Sequence, residues 1–226
     1  MINHYLLAFR QLGDHRLLKP VILASMLSLF TLVILIIIGT SAAGWVFDSL
    51  LSYFDSYEKG SWIRIAAQSF IAVFLFLLGF FFFGSIHAGF LGLFIDDIID
   101  AIQEKHHPDL ILRPAPKMLP AAIISMRLIG LSLFVNLIAS PLFLIGWFLP
   151  PLGIILQIGL NGFLLGREYK VTIEQRLPED FRQSSQSFAL YGTLGATLWM
   201  IPFLNFFAPL LICASVFHAK AKNNQQ

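Results

Sequence analysis

The chain has 226 residues, 57% of them hydrophobic and only 12% charged, with a formal net charge of +2 and a mean hydropathy of +0.77. A soluble domain carries about 25% charged residues, so this balance excludes an ordinary water-soluble fold, and so small a net charge gives no reason to expect a nucleic-acid partner. A single cysteine, Cys213, excludes an intramolecular disulfide or a cysteine-built metal site.

The charge deficit is concentrated. Val21–Phe47, Ile65–Ile95, Leu128–Gly166 and Gln183–Ala219 contain no Asp, Glu, Lys or Arg, and each exceeds the roughly 18 apolar residues that nominate a membrane segment. The expected fold class is therefore an all-α integral membrane protein, one membrane domain over 1–226. It has two transmembrane helices, two proline-broken, hemi-penetrating helical hairpins and a cytoplasmic amphipathic helix, with the lipid bilayer as partner.

In chain order, residues 1–20 form a basic segment with a short interfacial helix over 3–19. The first span covers 21–47. The alternative is a cleaved signal peptide ending near "TSAAGW", but the apolar run of about 18 residues before Gly39 is longer than the usual 7–15. A retained helix is the preferred reading. Loop 48–64 holds only Lys59 and Arg64 of the fifteen Lys and Arg; the others fall in 1–20, 96–127, 167–182 and 220–226. Cytoplasmic segments collect Lys and Arg, so those four segments and both termini belong inside and the loop outside. The second span covers 65–90, where Gly84, Gly89 and Gly92 predict a break in "FFFGSIHAGFLGLF".

An amphipathic helix follows over 91–107. Leu91, Phe94, Ile95, Ile98, Ile99 and Ile102 share one face, and Asp96, Asp97, Asp100 and Glu104 form an acidic face expected to be solvated. Glu104 and His107 make one Glu-x-x-His without a second copy, so no metal site is expected. Hairpin 1 (118–166) breaks at Pro150 and Pro151, a charged cytoplasmic segment covers 167–182, and hairpin 2 (183–219) breaks at Pro202. The uncharged arms run to about 22 and 15 residues, then about 19 and 17, against the roughly 20 that a crossing needs. The preferred reading is that both hairpins enter from the cytoplasm and turn inside the bilayer, with full crossing as the alternative. Backbone at such a turn must be covered by protein, which favours a homo-oligomer.

"NGFLLGREY" (161–169), "IPFLNFFAPLLICASVFHAK" (201–220) and "GLFIDDIIDAI" (92–102) resemble the CysZ family, which includes relatives of the etoposide-induced membrane proteins. The Ile201, Pro202, Asn205, Pro209 pattern and its distance from Gly-Arg-Glu-Tyr carry the likeness, which covers most of the chain from about residue 60. The resemblance implies two true transmembrane helices, two hemi-penetrating hairpins and an oligomer in the inner (cytoplasmic) membrane. For the bacterial CysZ branch it implies sulfate uptake feeding cysteine synthesis through a channel-like pathway without ATP. Unlike sulfate-type members, this chain has no Asn in "HAGFLGLF" and only Arg16 and Lys19 as cations close before the first span.

The candidate ion-pathway residues are Ser85, His87, Gly89, Arg127, Asn161, Arg167, Glu168 and Asn205. A histidine deep in a span is a functional candidate by default; a neutral imidazole bonded to a carbonyl is the alternative. The Asn residues serve either as pathway groups or as interhelical bonds. Gly159, Gly162 and Gly166 share a helix face suited to close packing. Arg167 and Glu168 either mark the cytoplasmic interface, the preferred reading, or line an anion mouth. Helix starts buried at Pro150–Pro151, at Pro202 and after the 85–89 break either offer N–H groups to anions or, the preferred reading, have those groups satisfied by neighbouring helices. No G-x-S-x-G, H-E-x-x-H or phosphate loop occurs, so no enzyme activity and no cofactor are expected. The function expected is a permease or channel for a small anion such as sulfate; the alternative is a non-transporting scaffold of the same family.

Overall fold

The computed structural model describes residues 1–51, 62–179, 188–201 and 203–222. Among these residues every regular element is helical. The chain divides into two compact units, Ile22–Gly92 and a larger one made of Met1–Val21 with Leu93–Gln226.

Ile22–Gly92 is a helical pair. Helix α2 (His15–Leu51) enters it from the larger unit, and α3 (Trp62–Gly92) returns. Gly39 lies against Leu75, Gly44 against Gln68 and Ser25 against His87, so the two helices are antiparallel. A Cβ at Gly44 would stand 2.6 Å from the Gln68 amide nitrogen, the far end of a flexible side chain. Among the described residues, one helical stretch, His15–Val46, is long and apolar enough to cross a membrane. Helix α2 continues to Leu51 and α3 begins at Trp62, and the middle of the loop expected at 48–64 lies outside the described residues.

The break expected at 85–89 is absent. Helix α3 runs through Gly84, Ser85, His87 and Gly89 to Gly92, and the interruption falls at Leu93–Phe94. Glycine costs a helix interior only about 1 kcal/mol, which an apolar helix of 31 residues absorbs. The amphipathic helix α4 (Ile95–His106) accordingly starts later than expected, with Ile98, Ile99 and Ile102 buried.

The larger unit is built around α8 (Ala208–Lys222), buried from Ala208 through Ala221. Helices α1 (Ile2–Arg10), α4, α6 (Pro150–Arg176) and α7 (Phe188–Trp199) pack on it. The first helix ends sooner than the interfacial helix expected over 3–19, at a turn before Asp14. There Asp14 Oδ1 accepts the Arg16 N–H at 3.0 Å and so caps α2. Helix α1 is held by its polar groups: Tyr5 Oη donates to Tyr191 O at 2.5 Å, and His4 Nδ1 lies 2.8 Å from Tyr191 Oη.

Helix α5 (Met118–Phe148) joins α6 through the single residue Leu149, so the hairpin turns at Pro150 as its proline pair requires. Gly146 and Gly153 meet beside the turn, where a Cβ on Gly146 would stand 2.7 Å from Gly153 Cα. In the second hairpin, the described parts of α7 and α8 have 12 and 15 residues, about 18 and 22 Å, with a 3-10 turn at Leu204–Phe206 between them. Pro202 lies outside the described residues.

The tightest helix contact is α6 on α7. Gly162 faces Thr193, Gly166 faces Phe188 and Ala189, and Gly192 faces the backbone of Gly162 and Gly166. Gly159, expected on the same packing face, has nothing within 4 Å; the glycine seam begins one turn later. Gly166→Ala therefore lowers stability by about 1–3 kcal/mol, because its Cβ meets backbone that has no rotamer to escape into. Gly159→Ala is neutral or stabilises by up to about 1 kcal/mol. Thermal unfolding of the two variants in detergent separates them.

The acidic face of α4 is not merely solvated. Arg176, only 4% exposed, donates through Nη1 to Asp96 at 2.6 Å and through Nη2 to Asp100. Its Nε donates to Arg113 O at 2.9 Å, and Arg113 N–H returns a bond to Arg176 O at 2.7 Å. One guanidinium thus ties the end of α6 to α4 and to the connector at 107–117. Removing it leaves two carboxylates and a carbonyl unpartnered. Arg176→Met should lower the unfolding free energy by about 2–3 kcal/mol. Arg176→Lys should recover only part of that in the same denaturation assay, because an ammonium lacks the planar fork.

Candidate functional site

Three polar assemblies come out of this packing. The first is a groove between α6 and the start of α7, lined by Phe163, Arg167, Lys170, Val171, Glu174, Phe188 and Ala189, with a volume of about 370 Å³. On α6 the lining residues recur at helical spacing and so share one face. Glu174 accepts from buried Lys220 of α8 at 2.5 Å and has Lys170 Nζ at 3.9 Å. The Lys220 ammonium also stands 5.0 Å from the Phe188 ring centroid, a cation–π contact that helps offset its desolvation. Arg167 is exposed, and among the described residues it has no ion-pair partner. Glu168, next to it, is exposed and outside the groove. Of the expected pair, only Arg167 joins the assembly; Lys170, Glu174 and Lys220 complete it.

The second assembly lies between α7 and α8. A 3-10 turn spans Leu204–Phe206, with Asn205 N–H donating to Ile201 O at 3.1 Å. Phe203 takes φ of 66°, a left-handed conformation uncommon outside glycine. The Asn205 Oδ1 is buried with no hydrogen-bond partner among the described residues. Strain beside an unspent polar atom points to function.

The third assembly is a histidine cluster where α1, α4 and α8 meet. His218 Nε2 lies 2.7 Å from Gln11 Nε2, and His218 Nδ1 lies 2.9 Å from His107 Nε2. An amide nitrogen can only donate, so with this amide orientation His218 accepts at Nε2 and donates from Nδ1 to His107. That relay needs both rings neutral. Nothing in the sequence pattern joins Gln11 to a histidine 207 positions away.

The remaining candidates are dispersed. His87 is fully buried on α3, its Nδ1 3.4 Å from Ser25 Oγ and its ring stacked on Phe83. Ser85 and Gly89 lie within the unbroken α3, Arg127 is exposed on α5, and Asn161 is half-buried on α6.

The helix start at Pro150 has its first donors removed or bonded within the chain. Pro150 and Pro151 have no N–H to offer, and the next two donors, on Leu152 and Gly153, both bond Leu149 O at 2.9 and 3.1 Å. At the start of α8, Pro209 has no N–H and Leu211 N–H bonds Phe207 O at 2.8 Å. With no break at 85–89, no helix start exists there either. Positive charge for an anion comes from side chains. Glu104, the other half of the Glu-x-x-His, pairs with Arg16, and the described residues hold no group of three metal-ligating side chains.

Burial holds the His106 and His107 imidazoles below their ordinary value of 6.5, with Lys105 beside His106 and His106 beside His107 acting in the same direction. The folded state then binds fewer protons than the unfolded one, so this part of the stability is complete above about pH 6.5 and is lost as the pH falls below it. A thermal midpoint that drops between about pH 7.5 and about pH 5, with a shallower drop in His107→Gln, is the expected outcome.

A family model described as "Sulfate transporter CysZ/Etoposide-induced protein 2.4" matches residues 5–209. No curated protein matches the chain, and no solved structure does.

Proposed function

Because the chain belongs to the family of the sulfate transporter CysZ and etoposide-induced protein 2.4, we propose that it is a permease or channel for a small inorganic anion, sulfate foremost. It works without ATP, as a homo-oligomer in the inner (cytoplasmic) membrane, with several membrane segments and both termini in the cytoplasm. The family match over residues 5–209 carries this reading.

The helices support it. His15–Val46 is long enough to cross, whereas α8, at about 22 Å as described, is short of the roughly 30 Å hydrocarbon core. A length of this kind suits a hairpin that turns inside the bilayer. Large apolar residues stand exposed along α2 and α5, among them Met26, Phe30, Ile37, Phe134 and Leu137, a surface for lipid or for a second copy of the chain.

Asn205 is a candidate to meet the ion through its Nδ2 donor, the part of the amide from which an anion can accept a hydrogen bond; its buried Oδ1 is an acceptor and does not itself face an anion. Arg127 and Arg167 add positive potential on the cytoplasmic side, and Asn161 and Glu168 lie on the helix that leads there. Within Ile22–Gly92, Ser85, His87 and Gly89 are a separate candidate step.

Radiolabelled sulfate taken up by liposomes containing the purified protein tests the proposal. Uptake should exceed that of empty liposomes, and Asn205→Leu should reduce it about tenfold or more, the loss expected for one hydrogen bond to a charged group, at unchanged oligomer size. Uptake no greater than in empty liposomes, with the oligomer intact, would favour the scaffold reading.

A further inference from the structure

The groove on α6 combines carbon and charge: Phe163 stands one turn before Arg167, while Val171, Phe188 and Ala189 line it beside Arg167 and Lys170, with the Lys170 ammonium 5.7 Å from the Phe188 ring centroid. Lys170 and Arg167 follow Phe163 by seven and four residues, so all three stand on one helix face. Glu174 does not cancel the positive charge. It is engaged by Lys220 at 2.5 Å and lies 3.9 Å from Lys170 Nζ, and among the described lining residues two cations, Arg167 and Lys170, stand against this one carboxylate.

The level of the groove along α6 decides what it can hold. Arg167 is the first charged residue after the uncharged run Leu128–Gly166. On the turns before it, α6 exposes Leu152, Ile154, Ile155 and Phe163. In a membrane protein that apolar surface faces acyl chains, and the two cations stand at the depth of headgroups. A free inorganic anion would satisfy the cations and leave Phe163 and the exposed apolar face of α6 before it uncovered. An amphiphile with a negative headgroup covers both. A volume of about 370 Å³ suits a phosphodiester headgroup, and basic pockets between membrane helices on the cytoplasmic side bind such groups.

We propose that this groove is a binding site for an anionic phospholipid, with the lipid phosphate between the Arg167 guanidinium and the Lys170 ammonium and an acyl chain running past Phe163 along α6. A guanidinium presents two parallel donors to phosphate oxygens and an ammonium adds a point charge. Lys220 stays with Glu174 and holds the Phe188 wall in place.

Native mass spectrometry of the detergent-solubilised protein, equilibrated with equal amounts of phosphatidylglycerol and phosphatidylcholine, tests this. Phosphatidylglycerol should be retained in preference. The Arg167→Gln/Lys170→Gln variant should lower that preference about thirtyfold, as two cations at about 1 kcal/mol each would. The Arg167→Lys/Lys170→Arg variant, which keeps both charges, should retain it. So should Arg10→Gln/Lys117→Gln, which removes two exposed cations elsewhere. Equal retention of the two lipids, or an equal loss in both Gln double variants, overturns the proposal. Displacement of the lipid by millimolar sulfate also overturns it, assigning the groove to a free ion. Retention is read without transport, so a chain that carries no sulfate can still show the lipid site, and a failed lipid site leaves the permease reading standing.

Discussion

Fourteen consecutive residues of α8, from Ala208 to Ala221, are buried, and they include an imidazole and an ammonium. A buried ammonium costs several kcal/mol unless it is paired, and a buried imidazole needs a partner for each nitrogen. The neighbouring helices meet these demands. Glu174 of α6 takes Lys220, while Gln11 from the turn after α1 and His107 from the connector take the two nitrogens of His218. The apolar side chains of α8 fill the space between, with Gly195 of α7 giving room for Ile212. Most of the larger unit can be understood as the shell that makes this helix tolerable in its interior.

The same requirement shapes the α6–α7 seam. For α7 to reach α8 while α6 supplies Glu174, the two helices must run nearly in backbone contact, which only glycine permits. Gly162, Gly166 and Gly192 provide it. Close approach at the seam sets Phe188 beside Lys170 and Lys220 and opens the groove beside Arg167. Groove and core are thus two consequences of one contact, and a side chain at Gly166 disturbs both.

Charge in the described structure is handled by side chains rather than by helix ends. Prolines at the start of α6 remove the donors that a helix N-terminus would offer, and Leu149 O absorbs the next two. Arg176 collects two aspartates and a carbonyl into a rigid tie, whereas Arg167 stays exposed and Lys170 makes a longer contact, 3.9 Å, with Glu174. An arginine saturated by the chain holds structure; one left open on a membrane-level surface is available to a ligand.

Much of this was legible from residues 1 to 226 in order. Uncharged runs, the placement of Lys and Arg and the proline pair are local properties, and they indicated helices, a membrane setting and the turn at Pro150. The Gly162–Gly166 pair was readable because it repeats at helical spacing, and the family was readable from short motifs. Other features were decided only by the fold. Glycines at 84, 89 and 92 suggested a break, yet an apolar helix tolerates glycine when its other side chains carry it, and α3 stays whole. The Asp96 and Asp100 face resembled a solvated one because its partner, Arg176, lies 80 and 76 positions away. Lys220 resembled part of a cytoplasmic tail and is buried against Glu174. Helix type and membrane character follow from neighbours along the chain. Which charges are spent on the core and which are left for a ligand depends on which distant side chains packing brings within hydrogen-bond range, and the order of residues alone does not contain that.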